Sequence, residues 1–270
     1  MRSCHIGPLS LGTGKPVFIL GPCVIESPEF LSRMAAGIDQ ICRSLGASYI
    51  LKASYDKANR TSVASYRGID IDEGCQLLAD LGQQYGVPVT TDVHSPRDAA
   101  IAAGTIDLLQ IPAFLCRQTD LIIAAAETGR AVNVKKGQFL APWDVRNIAE
   151  KLQAHGCENF FFTERGTTFG YNNLVADMRS LYWIREQGYP VVFDATHSVQ
   201  RPGGAGSSTS GDGILAPVLA RAAVAAGCDG VFLETHENPA AALSDGPNQV
   251  PLADLHGVLH SLLKIHAALA

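Results

Sequence analysis

Residues 16–28 read PVFILGPCVIESP, and the order of residue types in this stretch decides the fold. An apolar run, 16–21, stops at Gly21 and Pro22. A lone Cys23 follows, then Glu26, then Ser27 and Pro28, a capping residue before the proline favoured at the first helical position. Run, open turn and capped helix make one β/α unit. The chain repeats it: SYILKA at 48–53, PVTTDV at 88–93, DLLQIP at 107–112, AVNVKK at 131–136, NFFFTE at 159–164, PVVFDA at 190–195 and GVFLET at 230–235. Continuous rather than alternating apolar runs suit strands buried on both faces of a parallel sheet. Between them, Ala/Leu-rich segments with helical periodicity are predicted at 28–44, 72–85, 95–103, 117–128, 142–154, 173–187, 213–226 and 251–268. Gly46, Gly86, Gly129, Gly156, Gly188 and Gly227 end helices just before a strand.

Eight such units predict an α/β fold, a (β/α)8 barrel over 15–270. A doubly wound open sheet is the alternative, but no GxGxxG follows the first strand. Residues 1–14 precede it as a cap, with Gly12-Thr13-Gly14 suggesting a turn or small hairpin that closes the barrel bottom. Two connections are long, 54–71 and 196–212. The second is rich in Gly and Ser and reads as a mobile lid rather than a linker, because all βα loops of a barrel lie on one face.

Bulk composition narrows the function classes. In 270 residues, 47% are hydrophobic and 17% charged, with a formal net charge of −5. No basic field is present to recruit nucleic acid, and 7% aromatics make a poor base-stacking surface. Seven scattered cysteines without a CxxC fit a reducing cytoplasm better than a disulfide scaffold. The first twenty residues break their apolar stretch with Gly, Pro and Lys, so no secretory signal is expected. The stretch from Ile214 to Cys228 is interrupted by Arg221 and too short for a bilayer.

Polar residues collect where the runs end: Cys23, Lys52, Asp92 and His94, Gln110, Lys135 and Lys136, Glu164 and Arg165, Asp194 and His197, Glu234 and His236. Each alone is readable as a loop salt bridge, and Cys23 alone as a small packed hydrophobe. A barrel would gather all of them on one rim. Lys52, Lys57, Arg60, Arg117, Lys135 and Arg165 form a cationic set suited to phosphate and carboxylate. Cys23, His197, Glu234 and Asp245 are a plausible donor set for a divalent transition metal, because strand eight closes on strand one.

These residues carry a resemblance. From GPCVIES at 21–27 to LETHENPAAALSDGPNQVPL at 233–252, the chain resembles the 3-deoxy-D-manno-octulosonate 8-phosphate synthases. That family is related to the type I 3-deoxy-D-arabino-heptulosonate 7-phosphate synthases. KASYDKANRTS at 52–62 is the most specific motif, followed by TDVH at 91–94, QIPAFLCRQTDL at 110–121, VNVKKGQFLAP at 132–142, TERGTTFGYNNLVADMRSL at 163–181 and FDATHSVQRPGG at 193–204. The resemblance implies condensation of phosphoenolpyruvate with arabinose 5-phosphate and water, serving lipopolysaccharide synthesis. It implies that Lys52, Lys57, Gln110, Lys135, Arg165 and the backbone near Ala113 hold phosphoenolpyruvate. Asn59, Arg60, Thr61 and Arg117 would hold the sugar phosphate, with Arg117 reaching into a neighbouring subunit of a homotetramer. Lys57, Asp92, His197 and Asp245 would be catalytic.

The family has a metal-dependent form with Cys at position 23 and a metal-independent form with Asn. Cys23 here implies one divalent ion (Zn²⁺, Fe²⁺, Mn²⁺ or Co²⁺) on Cys23, His197, Glu234 and Asp245. Thr61 replaces the usual Ser, Cys116 stands where Ala is frequent, and Asp212 and Ile214 depart from the usual lid sequence. The heptulosonate enzyme, using erythrose 4-phosphate, is the nearest alternative; it typically shows KPR where this chain has KANR at 57–60. A class II aldolase-type barrel and a non-catalytic metabolite-binding barrel are the others, and phosphate release separates them from the main reading.

Overall fold

In the computed structural model, which describes residues 2–59, 62, 65–204 and 210–269, eight parallel strands pair in chain order and close on themselves. They are β1 (Val17–Gly21), β2 (Ser48–Lys52), β3 (Val89–Asp92), β4 (Leu108–Ile111), β5 (Ala131–Lys135), β6 (Phe160–Glu164), β7 (Val191–Asp194) and β8 (Gly230–His236). β8 pairs with both β1 and β7, which closes the barrel. The helices are α1 (Pro28–Leu45), α2 (Ile71–Tyr85), α3 (Pro96–Ala102), α4 (Thr119–Glu127), α5 (Val145–Ala154), α6 (Arg179–Glu186), α7 (Ala216–Ala225) and α8 (Leu252–Leu269). The architecture is a (β/α)8 barrel.

The helix starts follow the local signals. The Ser27 hydroxyl accepts the Phe30 N–H at 3.1 Å, Pro28 occupies the first turn, and α1 ends on Gly46 in the left-handed region. Its buried face carries Phe30, Leu31, Met34, Ala35 and Ile38, spaced by three and four residues against the sheet. α6 differs from expectation. The predicted helix over 173–187 begins only at Arg179, because Thr167–Thr168 pairs with Leu174–Val175 as a small hairpin. Gly170 and Asn172 take positive φ in its turn, a conformation these two residue types adopt most readily.

A second difference lies at the N-terminus. Cys4–Ile6 pairs antiparallel with Leu9–Leu11, and the chain reverses at Gly7 and Pro8. Gly12 to Gly14 instead links that hairpin to β1. Cys4, Ile6 and Leu11 pack with Val17, Ile19, Ile50, Leu108, Ala131, Phe161, Val192 and Phe232, filling the barrel's lower interior with apolar side chains.

The two-residue period of a strand then changes the chemistry up the barrel. Two positions above these apolar residues stand Lys52 over Ile50, Gln110 over Leu108, Asn133 over Ala131, Thr163 over Phe161, Asp194 over Val192 and Glu234 over Phe232. All six are buried. The lower barrel is a packed plug and the upper barrel a polar chamber, opening on the face where active sites of this fold lie.

Candidate active site

The chamber opens into a cavity of about 1110 Å³, lined among others by Lys52, Lys57, Asn59, Asp92, Ala113, Lys135, Arg165, His197, Glu234 and Asp245. Most sequence-predicted residues are therefore brought together. Cys23 lies just behind the lining, nearly fully buried. Gly21 allows this placement: a Cβ there would lie 1.7 Å from the Lys52 carbonyl oxygen, so only glycine lets β1 and β2 approach as the chain turns toward Cys23.

Cys23 Sγ and one carboxylate oxygen each from Glu234 and Asp245 lie within 4.8 Å of one another. His197 Nε2 is 3.6 Å from Glu234 Oε2 and 3.9 Å from Asp245 Oδ2. The thiol and two carboxylates form the close cluster, with the His197 imidazole beside the two carboxylates, and these residue types suit a single borderline-soft cation, whose ligands stand at about 2.0–2.3 Å. Burial, reinforced by the Glu234 charge, pushes the Cys23 thiol up. The residue types and their closeness, rather than that shift, make the donor set fit a divalent ion.

The cations are tied to the same groups. Lys52 Nζ, almost inaccessible, donates to Glu234 Oε1 at 2.5 Å and to the Cys23 carbonyl at 3.0 Å. Lys57 Nζ donates to Ser54 Oγ at 2.9 Å and stands 3.9 Å from both Asp92 Oδ2 and Glu234 Oε1. Lys135 Nζ lies 3.7 Å from the centre of the Phe232 ring and donates to Asp194. Arg165 Nη2 donates to Gln200 Oε1 at 2.7 Å, while its Nη1 is buried with no partner among the described residues. Burial works to raise the Glu234 carboxyl, but Lys52, His197, Lys57 and Lys135 outweigh it and hold it well below the usual carboxylate range. Asp92 behaves alike: burial opposes its charge, and Lys52, Lys57 and Lys135 prevail.

Beneath the cavity runs one chain of hydrogen bonds across four strands, β6 to β3. Thr163 donates to Asn133 Oδ1, Asn133 Nδ2 to Gln110 Oε1, and Gln110 Nε2 to Asp92, which also accepts from Ser54. Gln110 thus sits under the cavity rather than in its lining. Asn59 is exposed at the rim. Arg60 and Thr61 lie outside the described residues, as do 205–209 of the segment read as a lid. Arg117 is exposed, precedes α4 rather than opening it, and does not line the cavity of its own chain. Asp212 accepts from Arg201 Nη2 at 2.8 Å across the pairing of Gln200–Arg201 with Ser210–Gly211. Ile214 is exposed and faces the cavity.

Residues 5–269 match the DAHP synthetase I family. The chain belongs to that family. Its relatives include the 2-dehydro-3-deoxyphosphooctonate aldolase of Cyanothece sp., 58% identical over 263 residues, which are 97% of this chain and 96% of that protein. The enzyme of the same name from Trichlorobacter lovleyi is 56% identical over 267 residues, 98% of each chain. That from Fusobacterium nucleatum is 54% identical over 267 residues, 98% of this chain and 96% of that protein.

For a member of the DAHP synthetase I family, the sequence reading left several side chains without a part. Ser54 and Gln200 hold Lys57 and Arg165, Ser244 meets Cys23 Sγ at 3.0 Å, and Phe232 underlies Lys135. The strand period could have pointed to Asn133, two residues before Lys135. Nothing local marks Gln200 or Ser244, because each meets its partner across more than thirty residues of chain.

Proposed function

We propose that this chain is a 3-deoxy-D-manno-octulosonate 8-phosphate synthase. It joins phosphoenolpyruvate to D-arabinose 5-phosphate, with water, and releases phosphate. The name of its relatives specifies an eight-carbon phosphorylated acid, which favours the five-carbon aldose over erythrose 4-phosphate. The observation that carries the reading is one cavity in which Lys52, Lys57, Lys135 and Arg165 meet His197, Glu234 and Asp245, with Cys23 clustered against the two carboxylates behind the lining.

In the reaction, C3 of the enol attacks the aldehyde carbon and the aldehyde oxygen takes a proton. Water adds at C2, and the C2–O bond to phosphate breaks. Lys57, Lys135 and Arg165 would hold phosphoenolpyruvate, with Lys52, Gln110 and the backbone at Ala113 behind them. The Nη1 of Arg165, without a partner among the described residues, offers a donor to an incoming anion. Asn59, Arg60 and Thr61 would receive the sugar phosphate. Fixed cations of this kind neutralise the anionic substrates and place C3 against the aldehyde. Asp92, held ionised, would anchor Lys57 through Ser54 and keep a fixed negative charge beside the reacting centre. Cys23, His197, Glu234 and Asp245 would hold one divalent ion. Such an ion supplies Lewis acidity toward a carbonyl oxygen and acidifies bound water.

Phosphate release measured with each aldose tests the assignment. Ala58 and Asn59 line the cavity and lengthen the motif relative to KPR, leaving room for one more carbinol. The expected kcat/KM preference for arabinose 5-phosphate is at least about tenfold, or roughly 1.4 kcal/mol. Equal or better use of erythrose 4-phosphate overturns the reading.

The sugar-phosphate site is read as shared between subunits of a homotetramer. Arg117, exposed and away from its own cavity, is free to reach a neighbour's. Arg60→Ala and Arg117→Ala should each raise KM for the sugar phosphate strongly and leave KM for phosphoenolpyruvate nearly unchanged. Mixed oligomers of the two variants should regain activity, because some interfaces pair an intact Arg60 with an intact Arg117. No regain in verified mixtures, or a fully active monomer, rules the shared site out. A cytoplasmic location agrees with seven free thiols. Among the described residues, no helix is long and apolar enough to cross a membrane.

A further inference from the structure

We propose that Asp194 is a positioning residue shared by two parts of the site: one buried carboxylate orients the imidazole of His197 and the ammonium of Lys135 together. The inference rests on the function proposed above, in which His197 faces the divalent ion and Lys135 the phosphoenolpyruvate.

The geometry is specific. Asp194 ends β7 and is fully buried. Its Oδ1 accepts the backbone N–H of His197 at 2.9 Å and the Thr196 hydroxyl at 3.2 Å. His197 Nδ1 stands 3.0 Å from Oδ1 and 2.8 Å from Oδ2. Oδ2 also accepts from Lys135 Nζ at 2.7 Å. Every partner is thus a donor, and an ionised carboxylate, an acceptor at both oxygens, suits all of them.

Two consequences follow for the neighbours. The Asp194 carboxylate calls for a proton on Nδ1 of His197, so in the neutral ring Nε2 is the bare nitrogen turned toward Glu234 and Asp245. A histidine that ligates a metal needs that tautomer, and a carboxylate on the far nitrogen is the usual means of fixing it. Lys135, meanwhile, is held between the Asp194 carboxylate and the Phe232 ring, with the cavity on its open side. The ring of His197 packs on the same Phe232, at 5.7 Å between centroids. The last residue of β7 therefore sets the direction of one side chain from β5 and of another from the helical turn Ala195–Ser198.

Asp194→Asn is the discriminating change. An amide has no negative charge and a single acceptor oxygen: placed at Oδ2 it turns N–H donors on the His197 N–H and the Thr196 hydroxyl, and placed at Oδ1 it turns them on Lys135, so the four donors cannot all be met. Chelator competition with Zn²⁺ is expected to show metal affinity reduced by about 10–100-fold. With metal saturating, KM for phosphoenolpyruvate should rise at least about tenfold while KM for arabinose 5-phosphate stays within about twofold. Excess metal should restore occupancy without restoring the phosphoenolpyruvate KM. Unchanged metal affinity with both KM values unmoved, even alongside a lowered Tm, would assign Asp194 a merely structural part and overturn the proposal.

Should the variant not fold, ¹⁵N NMR of histidine-labelled, metal-free wild-type protein decides the matter. Recorded at alkaline pH, where the ring is neutral, His197 is expected to be protonated at Nδ1 and bare at Nε2; a neutral ring with its proton on Nε2 refutes the proposal. If the wild-type protein makes no product from the two substrates, the assigned reaction fails. The metal-affinity and tautomer results then still test Asp194 on their own.

Discussion

Exhaustive chelation is expected to lower phosphate release by about 10³-fold or more, since a divalent ion contributes several kcal/mol of charge stabilisation at the transition state. One equivalent of Zn²⁺, Mn²⁺, Fe²⁺ or Co²⁺ should restore it. The expectation comes from the donor cluster: Cys23, Glu234 and Asp245 offer ligand atoms within 4.8 Å of one another, and His197 Nε2 stands beside them. Two carboxylates and a thiol packed this closely repel one another once charged, so the cluster gains most from a cation at its centre. The Co²⁺-loaded protein provides a readout independent of turnover. A thiolate-to-cobalt charge-transfer band should be present in the near ultraviolet and should vanish in Cys23→Ser. Full activity in a preparation shown by elemental analysis to be metal-free would falsify the metal reading. Absence of the cobalt band in a loaded protein would remove Cys23 from the ligand set.

Gly21→Ala is expected to destabilise the barrel by about 3 kcal/mol or more, which for a chain of this size lowers Tm by roughly 6 °C or more. The added methyl would lie 1.7 Å from the Lys52 carbonyl oxygen and 2.7 Å from its carbonyl carbon, both backbone atoms that no rotamer change can clear. β1 and β2 must part to admit it. Lys52 Nζ then loses its reach to the Cys23 carbonyl, so metal affinity should fall together with stability. Gly257→Ala supplies the contrast. A Cβ there meets nothing within 4 Å on an exposed helical turn of α8, so the same substitution should stabilise by up to about 1 kcal/mol. Equal melting temperatures for Gly21→Ala and the parent protein would contradict the close approach of the two strands.

The fold was legible because its signals are local. Continuous apolar runs marked all eight barrel strands to within a residue or two, and Ser27, Ser95 and Gly46 marked helix ends through bonds spanning three or four residues. Where turn chemistry competed with helical periodicity, the reading slipped. Residues 173–178 carry a plausible helical pattern, yet Gly170 and Asn172 turn the chain back into a hairpin. Gly12 to Gly14 looks like the tip of a hairpin, but the reversal falls at Gly7 and Pro8.

For the site, the sequence by itself determined which residue types stand at the strand ends, since a charge that closes an apolar run is visible without any contact. Tertiary structure alone decided which of those ends meet. Cys23 and Asp245 are separated by 222 positions and come within 3.6 Å only because β8 pairs with β1. The same closure sets Asp194 between Lys135 and His197, buries Gln110 beneath the cavity rather than in its lining, and leaves Arg117 outside it. The physical reason is range. Strand and helix preferences act between near neighbours in the chain, whereas inward orientation, register and hydrogen-bond partnership depend on how eight strands close around a common axis.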